Sequence, residues 1–412
     1  MIRAYSGIAA LLLLAWLLSE DRRAIRWRTV LGGLAFQLAA ALILIGVPMA
    51  NRAMFWLNDI AHALHRATET GTRFVFGYLA GPPLPFAETA PGAGFILAFQ
   101  ALPLVLTIGA LASLLFHWGI LQAISNLFAR LLRCTLGISG PLALGAAVHV
   151  FVGMIEAPML IRPYLARMQR GELFALMTCG MAGVAGTVMV IYAAFLSPLV
   201  PNALGNILIA SVISTPAALA VAAILVPFGP PDSGEAAIAQ DGRASGAVDA
   251  LVKGTMEAVP ILAAILATLL VTVAMVTLAN MGLALLPDWD GPVTLQRLFA
   301  LPFRPVMWLI GVPWTEAPAA AGLMATKTVL NEFVAYLDFS RMPAEVLSPR
   351  TRMILTYSLC GFANFGSLGI VIGGLGAMIP ARRREVVALG MRSILAGTMA
   401  TCMSGALAGG LL

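Results

Sequence analysis

Charged side chains are scarce in this sequence, 11% of 412 residues against 60% hydrophobic ones, where a soluble domain is about a quarter charged and about half apolar. A surface so poor in charge is not made for water, and the mean hydropathy of +0.92 agrees. Cysteine is equally thin. Cys134, Cys179, Cys360 and Cys402 each lie in an apolar or Gly-rich run without C-x-x-C spacing, which excludes a zinc site or disulfide framework and leaves small buried residues. H-E-x-x-H, Gly-x-Ser-x-Gly and Asp-rich metal motifs are missing too, so nothing suggests an enzyme, a bound cofactor or a resident metal. Also missing is any soluble-looking stretch longer than about 40 residues, so one integral membrane domain is expected. The net charge of +6 does not indicate nucleic acid, because the arginines cluster in short loops between apolar segments.

What is present is a series of apolar runs. A helix needs about 20 apolar residues to cross the hydrocarbon, which allows about eight to ten spans. Runs at 4–18, 29–50 and 93–116 predict three conventional spans. The first has Arg3 alone before it, a charged stretch after it and no small-residue cleavage site, so it reads as a retained span rather than a signal peptide. The connection over 51–91 is amphipathic and then Gly/Pro-rich, predicting an interfacial element in contact with membrane lipid.

From 137 to 170 the pattern changes. A short apolar run is broken by Gly153, Glu156 and Pro158 and ends in Arg162, Arg167 and Arg170, which fits two half-length helices joined at a polar tip, tolerable only inside protein or a wet cavity. Spans follow at 173–199, interrupted over 180–186, and at 205–227. A polar linker over 228–246 leads to a long apolar segment at 250–286. Then the order recurs: a second broken hairpin over 301–349 with Lys327, Asn331 and Glu332 in its middle, a span at 352–378 interrupted over 361–367, and a plain span at 387–411. Paired broken segments in two halves point to a transporter's substrate site. The expected fold is therefore an all-α integral membrane protein, an inverted-repeat transporter with two re-entrant hairpins, two broken helices and eight spans. Its units are 1–92, 93–136, 137–227 (first repeat), 228–300 (linker and long helix) and 301–412 (second repeat). Arginine counting places the Arg22 to Arg28 loop, Arg130, Arg133, Arg162, Arg167, Arg170, Arg243, Lys253 and Arg382 to Arg384 on the cytoplasmic side and Arg3, Arg52, Arg66, Arg73, Arg297, Arg304, Arg341, Arg350 and Arg352 on the other, which makes the repeats inverted and the protein a multi-pass component of a bacterial inner membrane.

An ionisable side chain at membrane depth costs about 2.5 kcal/mol or more. Glu156, Glu332 and Lys327 need a reason to be there. Structural hydrogen bonding is one; two glutamates at matching places in an inverted repeat favour a shared wet chamber, where carboxylates bind hydroxyls and exchange protons. Asn364 and Ser367 add donor and acceptor groups. Glycines at 361, 366 and 369 serve helix packing as readily as ligand approach, but packing leaves Asn364 unexplained. For Lys327 the expectation is an internal ion pair or an orienting contact.

Three strings carry a resemblance. Residues 153–165 (GMIEAPMLIRPYL), 327–336 (KTVLNEFVAY) and 359–370 (LCGFANFGSLGI) resemble, in order, the first-hairpin, second-hairpin and broken-helix signatures of the concentrative nucleoside transporter family, and the likeness covers about 93–412. The resemblance implies a homotrimer that imports nucleosides with a coupling cation by an elevator-like movement. It implies that Glu332, Asn364 and Ser367 hold the ribose, that Glu156 sits with the nucleobase, that Val188 packs against the base, and that Phe362 lies beside the substrate.

This chain departs from the pattern twice. The family has Gln-Thr before the first-hairpin Glu; Met154 and Ile155 stand here, line the pocket without answering the base's polar edge, and predict altered base selectivity. The sodium-coupled members carry an Asn and a Ser or Thr where this chain has His149 and Gly183, in a cation region that includes Val152 and Val184. Sodium wants oxygen ligands, so proton coupling is expected ahead of sodium, with Glu156, Glu332 or His149 as carrier. The plainer reading of His149 is a neutral cap on the hairpin. A passive channel and an intramembrane enzyme remain as rivals from other classes.

Overall fold

A computed structural model of the chain describes residues 2–81, 83–86, 94–230, 244–287, 291–343 and 345–411, with no strand among them. The first half runs through α1 (Ile2–Leu17), α2 (Trp27–Gly46), α3 (Pro48–Phe76), α4 (Leu97–Gln100), α5 (Leu104–His117) and α6 (Ile120–Leu136). It continues with α7 (Gly140–His149), α8 (Glu156–Leu160), α9 (Arg162–Leu165), α10 (Arg170–Ala182), α11 (Gly186–Leu196) and α12 (Ala203–Leu225). The second half consists of α13 (Ala247–Leu283), α14 (Leu295–Leu309), α15 (Ala317–Val329), α16 (Glu332–Arg341), α17 (Pro349–Leu359), α18 (Phe365–Met378) and α19 (Arg383–Leu411). Among the described residues, five helical stretches are long and apolar enough to cross a membrane: Trp27–Gly46, Leu97–His117, Ala203–Leu225, Ala247–Leu283 and Pro380–Leu411. The expected linker at 228–246 lies largely outside the described residues, as does much of the Gly/Pro-rich part of 51–91.

Hydrophobicity does not tell inside from outside when the solvent is lipid, but packing does. The apolar window of α12 is 89% buried and that of α13 only 6%. Helix α12 is the central post, packed by α1, α2, α3, α10, α11, α17 and α19, while α13 runs alongside α5 at the periphery. Small residues set that pair: a Cβ on Gly254 would meet Gly109 O and Ser113 Cβ, and a Cβ on Gly109 would meet Ala258, so the backbones approach closely. At the centre, Gln37 Nε2 donates to Ser404 Oγ (3.2 Å) and Ser404 pairs with Ser214 (2.8 Å), joining α2, α19 and α12 through buried polar side chains.

Three boundaries differ from the sequence reading. The run at 29–50 ends at Gly46, because Pro48, preset for a first helical turn, opens α3 at once. Over 137–170 only the part before the break is one helix, α7. The part after it is two short pieces, α8 and α9, because Pro158 and Pro163 lack the N–H that a continuous helix would use. The helix pair expected to begin near 301, α15 and α16, begins at Ala317 instead, since residues 295–309 form a separate helix, closed by Gly311 at φ +114 and Pro313.

Candidate functional site

The breaks in two helices meet. Helix α10 stops at Ala182, and α11 restarts at Gly186; α17 stops at Leu359, and α18 restarts at Phe365. Between them Phe362 N donates to Gly183 O (3.2 Å), stitching one break to the other, and Gly186 N donates to Phe151 O (3.3 Å), stitching the first break to the loop after α7. Gly361 permits the crossing: a Cβ there would lie 2.7 Å from Met181 O and 2.9 Å from Thr401 Cγ2, closer than any side chain tolerates.

The freed backbone groups are taken up by side chains, which is what an irregular segment at membrane depth requires. Asn364 caps α18, its Oδ1 accepting from Ser367 N at 2.7 Å. Asn331 caps α16 by accepting from Val334 N at 2.9 Å. At the open end of α17, Lys327 Nζ donates to Ser358 O (2.8 Å) and Thr401 Oγ1 (3.3 Å), and the Tyr336 hydroxyl donates to Thr356 O (2.7 Å). Lys327 therefore makes the orienting contact and, among the described residues, no ion pair; a fully buried cation sits at a helix C-terminus, where the macrodipole favours it.

Glu332 is the chemical centre of the junction. Its Oε1 accepts from the Tyr192 hydroxyl of α11 at 2.7 Å, and its Oε2 accepts from Asn364 Nδ2 at 2.8 Å. The carboxylate thus sits between the two broken helices, as the first residue of α16 and next to the capped start of α18, both positive helix ends. Glu332, Asn364, Ser367, Val188 and Phe362 are all buried, as is Tyr192. Tyr192 was not singled out by the sequence, where it is one aromatic in the apolar string VMVIYAAFL (188–196); the one available signal was a phenol, which needs a partner when buried.

Glu156, Gly153, Ile155 and Val152 line a cavity of about 1890 Å³ bounded by α5, α6, α7 and α13, with Arg28, Arg130, Arg133, Arg162 and Lys253 on its walls. Met154 is buried, and Ile155 packs on α18, where Gly374 leaves room for it. Glu156 folds back over Gly153. Among the described residues no hydrogen bond links Glu156 to Glu332, and Glu332 does not line that cavity. The expected pair is thus one carboxylate on the cavity wall and one inside the junction.

His149 ends α7 and is 2% exposed, and among the described residues neither ring nitrogen hydrogen-bonds to another residue, so it does not act as a cap. A Cβ on Gly180 would lie 3.0 Å from its Nε2, so the ring faces the glycine-rich stretch of α10. Val184 is fully buried beside it in sequence to Gly183, whose carbonyl is engaged by Phe362. No group of His, Cys, Asp and Glu suited to a metal ion occurs among the described residues.

Two helices interrupted at a shared crossing, capped by buried polar side chains around a carboxylate, beside a large cavity, define a membrane carrier. Family models described as Na+ dependent nucleoside transporter N-terminus, Nucleoside recognition and Na+ dependent nucleoside transporter C-terminus match residues 6–79, 98–199 and 206–409. A Haemophilus influenzae transporter is 36% identical over 98% of this chain and 96% of its own. The nucleoside permease NupC of Helicobacter pylori is 32% identical over 98% of this chain and 96% of its own. The structure of CNTnw in an inward-facing substrate-bound state superposes with a TM-score of 0.88 at 34% identity, covering 100% of this chain and 97% of that one. The chain belongs to the concentrative nucleoside transporter family, a family of membrane transporters and not of enzymes.

Proposed function

We propose that this protein imports nucleosides by cation-coupled symport, with the proton as the coupling cation. The observation that carries the reading is the Glu332 carboxylate, buried at the meeting of two helix breaks and bonded to Tyr192 and Asn364. An ionised carboxylate accepts about four hydrogen bonds, so after these two it can still receive the hydroxyls of a ribose, and Asn364 and Ser367 stand beside it. Val188, Phe362, Met154, Ile155 and Glu156 then form the nucleobase side, largely apolar apart from Glu156, which would bias selectivity toward bases whose edge a single carboxylate can satisfy.

The proton assignment comes from a poor fit to sodium. The sodium-coupled pattern needs side-chain oxygens where this chain has an imidazole and a glycine, and the Gly183 carbonyl already accepts from Phe362. The proton carrier is one of Glu156, Glu332 and His149. Sodium coupling is the second reading, favoured by the sodium-dependent description of the matching family.

In this reading the segments 140–165 and 317–341 are re-entrant hairpins of an inverted repeat, the chain spans a bacterial inner membrane eight times, and a homotrimeric scaffold carries an elevator-like transport unit. The basic lining of the large cavity coincides with arginines assigned to the cytoplasm, so its mouth faces inward. Substrate and cation together stabilise the state that crosses, while cation alone does not, and that difference couples the two fluxes.

Proteoliposome uptake tests this directly. A nucleoside panel is run in sodium and in choline buffers at several pH values. Accumulation in choline that follows an inward proton gradient and collapses with a protonophore is expected. Accumulation that requires sodium and ignores the proton gradient would refute proton coupling; equilibration without accumulation would indicate a channel, and chemically altered product an enzyme.

A further inference from the structure

We infer that Tyr192 is a positioning residue for the sugar end of the substrate: its hydroxyl fixes the Glu332 carboxylate in the plane from which that group receives the ribose hydroxyls. The inference rests on the nucleoside reading given above. Its basis is local geometry. The Tyr192 ring is 1% exposed and is held on two sides, tilted against Tyr336 at 4.9 Å between centroids and edge-on to Phe333 at 6.0 Å. Tyr336 is itself immobilised, because its hydroxyl is committed to Thr356 O at 2.7 Å. A ring so confined delivers its hydroxyl to one place, 2.7 Å from Glu332 Oε1.

The torsion that orients a carboxylate is soft, with broad minima. Asn364 holds only Oε2. Without Tyr192 the Glu332 group would keep Asn364 as its one side-chain donor, and its unused lone pairs would be less firmly aimed at neighbouring hydroxyls. Tyr192 also comes from α11, in the first half of the chain, whereas Glu332, Asn364 and Ser367 all belong to the second. The hydroxyl therefore ties the sugar-binding edge of one half to the broken helix of the other. A ring that merely filled space would need no hydroxyl, and phenylalanine would serve as well.

Tyr192→Phe separates these roles, since it keeps the ring and removes the hydroxyl. Binding of adenosine and uridine, and of their 2′,3′-dideoxy analogues, is measured by calorimetry on the purified wild-type and variant transporters at fixed pH and salt. The wild type is expected to prefer the ribonucleosides. In Tyr192→Phe the ribonucleoside affinity should fall about tenfold, the size of one hydrogen bond to a charged group, while the dideoxy affinity stays within about twofold, so that the discrimination ratio collapses. Unchanged dideoxy binding doubles as proof that the variant is folded. Tyr336→Phe, which loses a hydroxyl of the same aromatic cluster on the Thr356 side, should retain the ratio. Equal losses for both ligand classes, an unchanged ratio, or a collapse in Tyr336→Phe as large as in Tyr192→Phe would overturn the inference. A wild type that discriminates but a variant that does so equally well would sink the role of Tyr192 alone; a wild type that binds none of these ligands would sink the nucleoside reading with it.

Discussion

Single side chains in this protein work by closing off what the broken helices leave open. Asn364 does this twice, capping α18 with its oxygen and reaching Glu332 with its nitrogen. Asn364→Ala removes both bonds and leaves a buried carboxylate one donor short, a loss of about 1.5–3 kcal/mol for a hydrogen bond to a charged group. Uptake at low substrate concentration should therefore fall by at least about tenfold, with the oligomeric state on size-exclusion chromatography unchanged; retained uptake would move the site elsewhere. Lys327 acts on structure. Lys327→Ala uncovers Ser358 O at the end of α17 and hollows a fully buried position, so the melting temperature should drop, corresponding to about 2 kcal/mol or more. A variant as stable as the wild type would show that the carbonyls of α17 find other partners.

Helices here are positioned by where they stop and by how closely they approach. Two adjacent glycines of α18 make the point. A Cβ on Gly373 meets nothing within 4 Å, whereas a Cβ on Gly374 runs into the side chain of Ile155, just before α8. Gly373→Ala should be neutral or slightly stabilising, since alanine is the better helix former by about 1 kcal/mol. Gly374→Ala should displace the Ile155 side chain, cost about 1–3 kcal/mol and impair uptake; equal behaviour of the two variants in thermal melts and transport would refute the close packing of Ile155 on α18. Much of this level was legible in the sequence. Repeated glycines over 180–186, and glycines beside Asn364 over 361–367, have no place in a plain span, so both breaks could be read before the structure; Glu332 was joined to Asn364 and Ser367 only by the family resemblance. What was not legible follows from lipid as solvent: when all faces of a helix are apolar, periodicity carries no direction, and nothing in the string around Tyr192 showed that its ring turns inward to Glu332. The split returning arm was written in Pro158 and Pro163, but proline marks where a helix stops and not how the pieces fold back. His149 was the opposite case, a residue whose type suggested a cap and whose ring nitrogens are without partners.

At the scale of the whole molecule, orientation and coupling are the properties to test. The cavity that reaches Glu156 is walled by Arg28, Arg130 and Arg162, which the arginine count assigns to the cytoplasm, while Arg3 and Arg304, which it assigns to the opposite side, stack on Trp308 and Trp314. In a background freed of Cys134, which is exposed where the sequence suggested four buried cysteines, Arg162→Cys should be labelled by an impermeant thiol reagent only from the cytoplasm and Arg304→Cys only from outside; the reverse pattern would invert the topology. Coupling can be probed by rebuilding the missing oxygens. Gly183 has an extended backbone (φ −128, ψ 173), and a Cβ there meets nothing nearer than 3.9 Å, so a serine fits without strain. Asn is smaller than His and places a carbonyl oxygen where the unpartnered ring of His149 now sits. If the absence of those two oxygens is what turns the protein away from sodium, His149→Asn combined with Gly183→Ser should acquire sodium-stimulated uptake that the wild type lacks, since a hard cation gains two oxygen ligands beside the backbone carbonyls of the break. Each single change should give less than the pair, because both ligands face one ion. A wild type already driven by sodium would overturn the premise, and a folded, substrate-binding double variant that stays indifferent to sodium would show that the ion preference is set elsewhere in the fold.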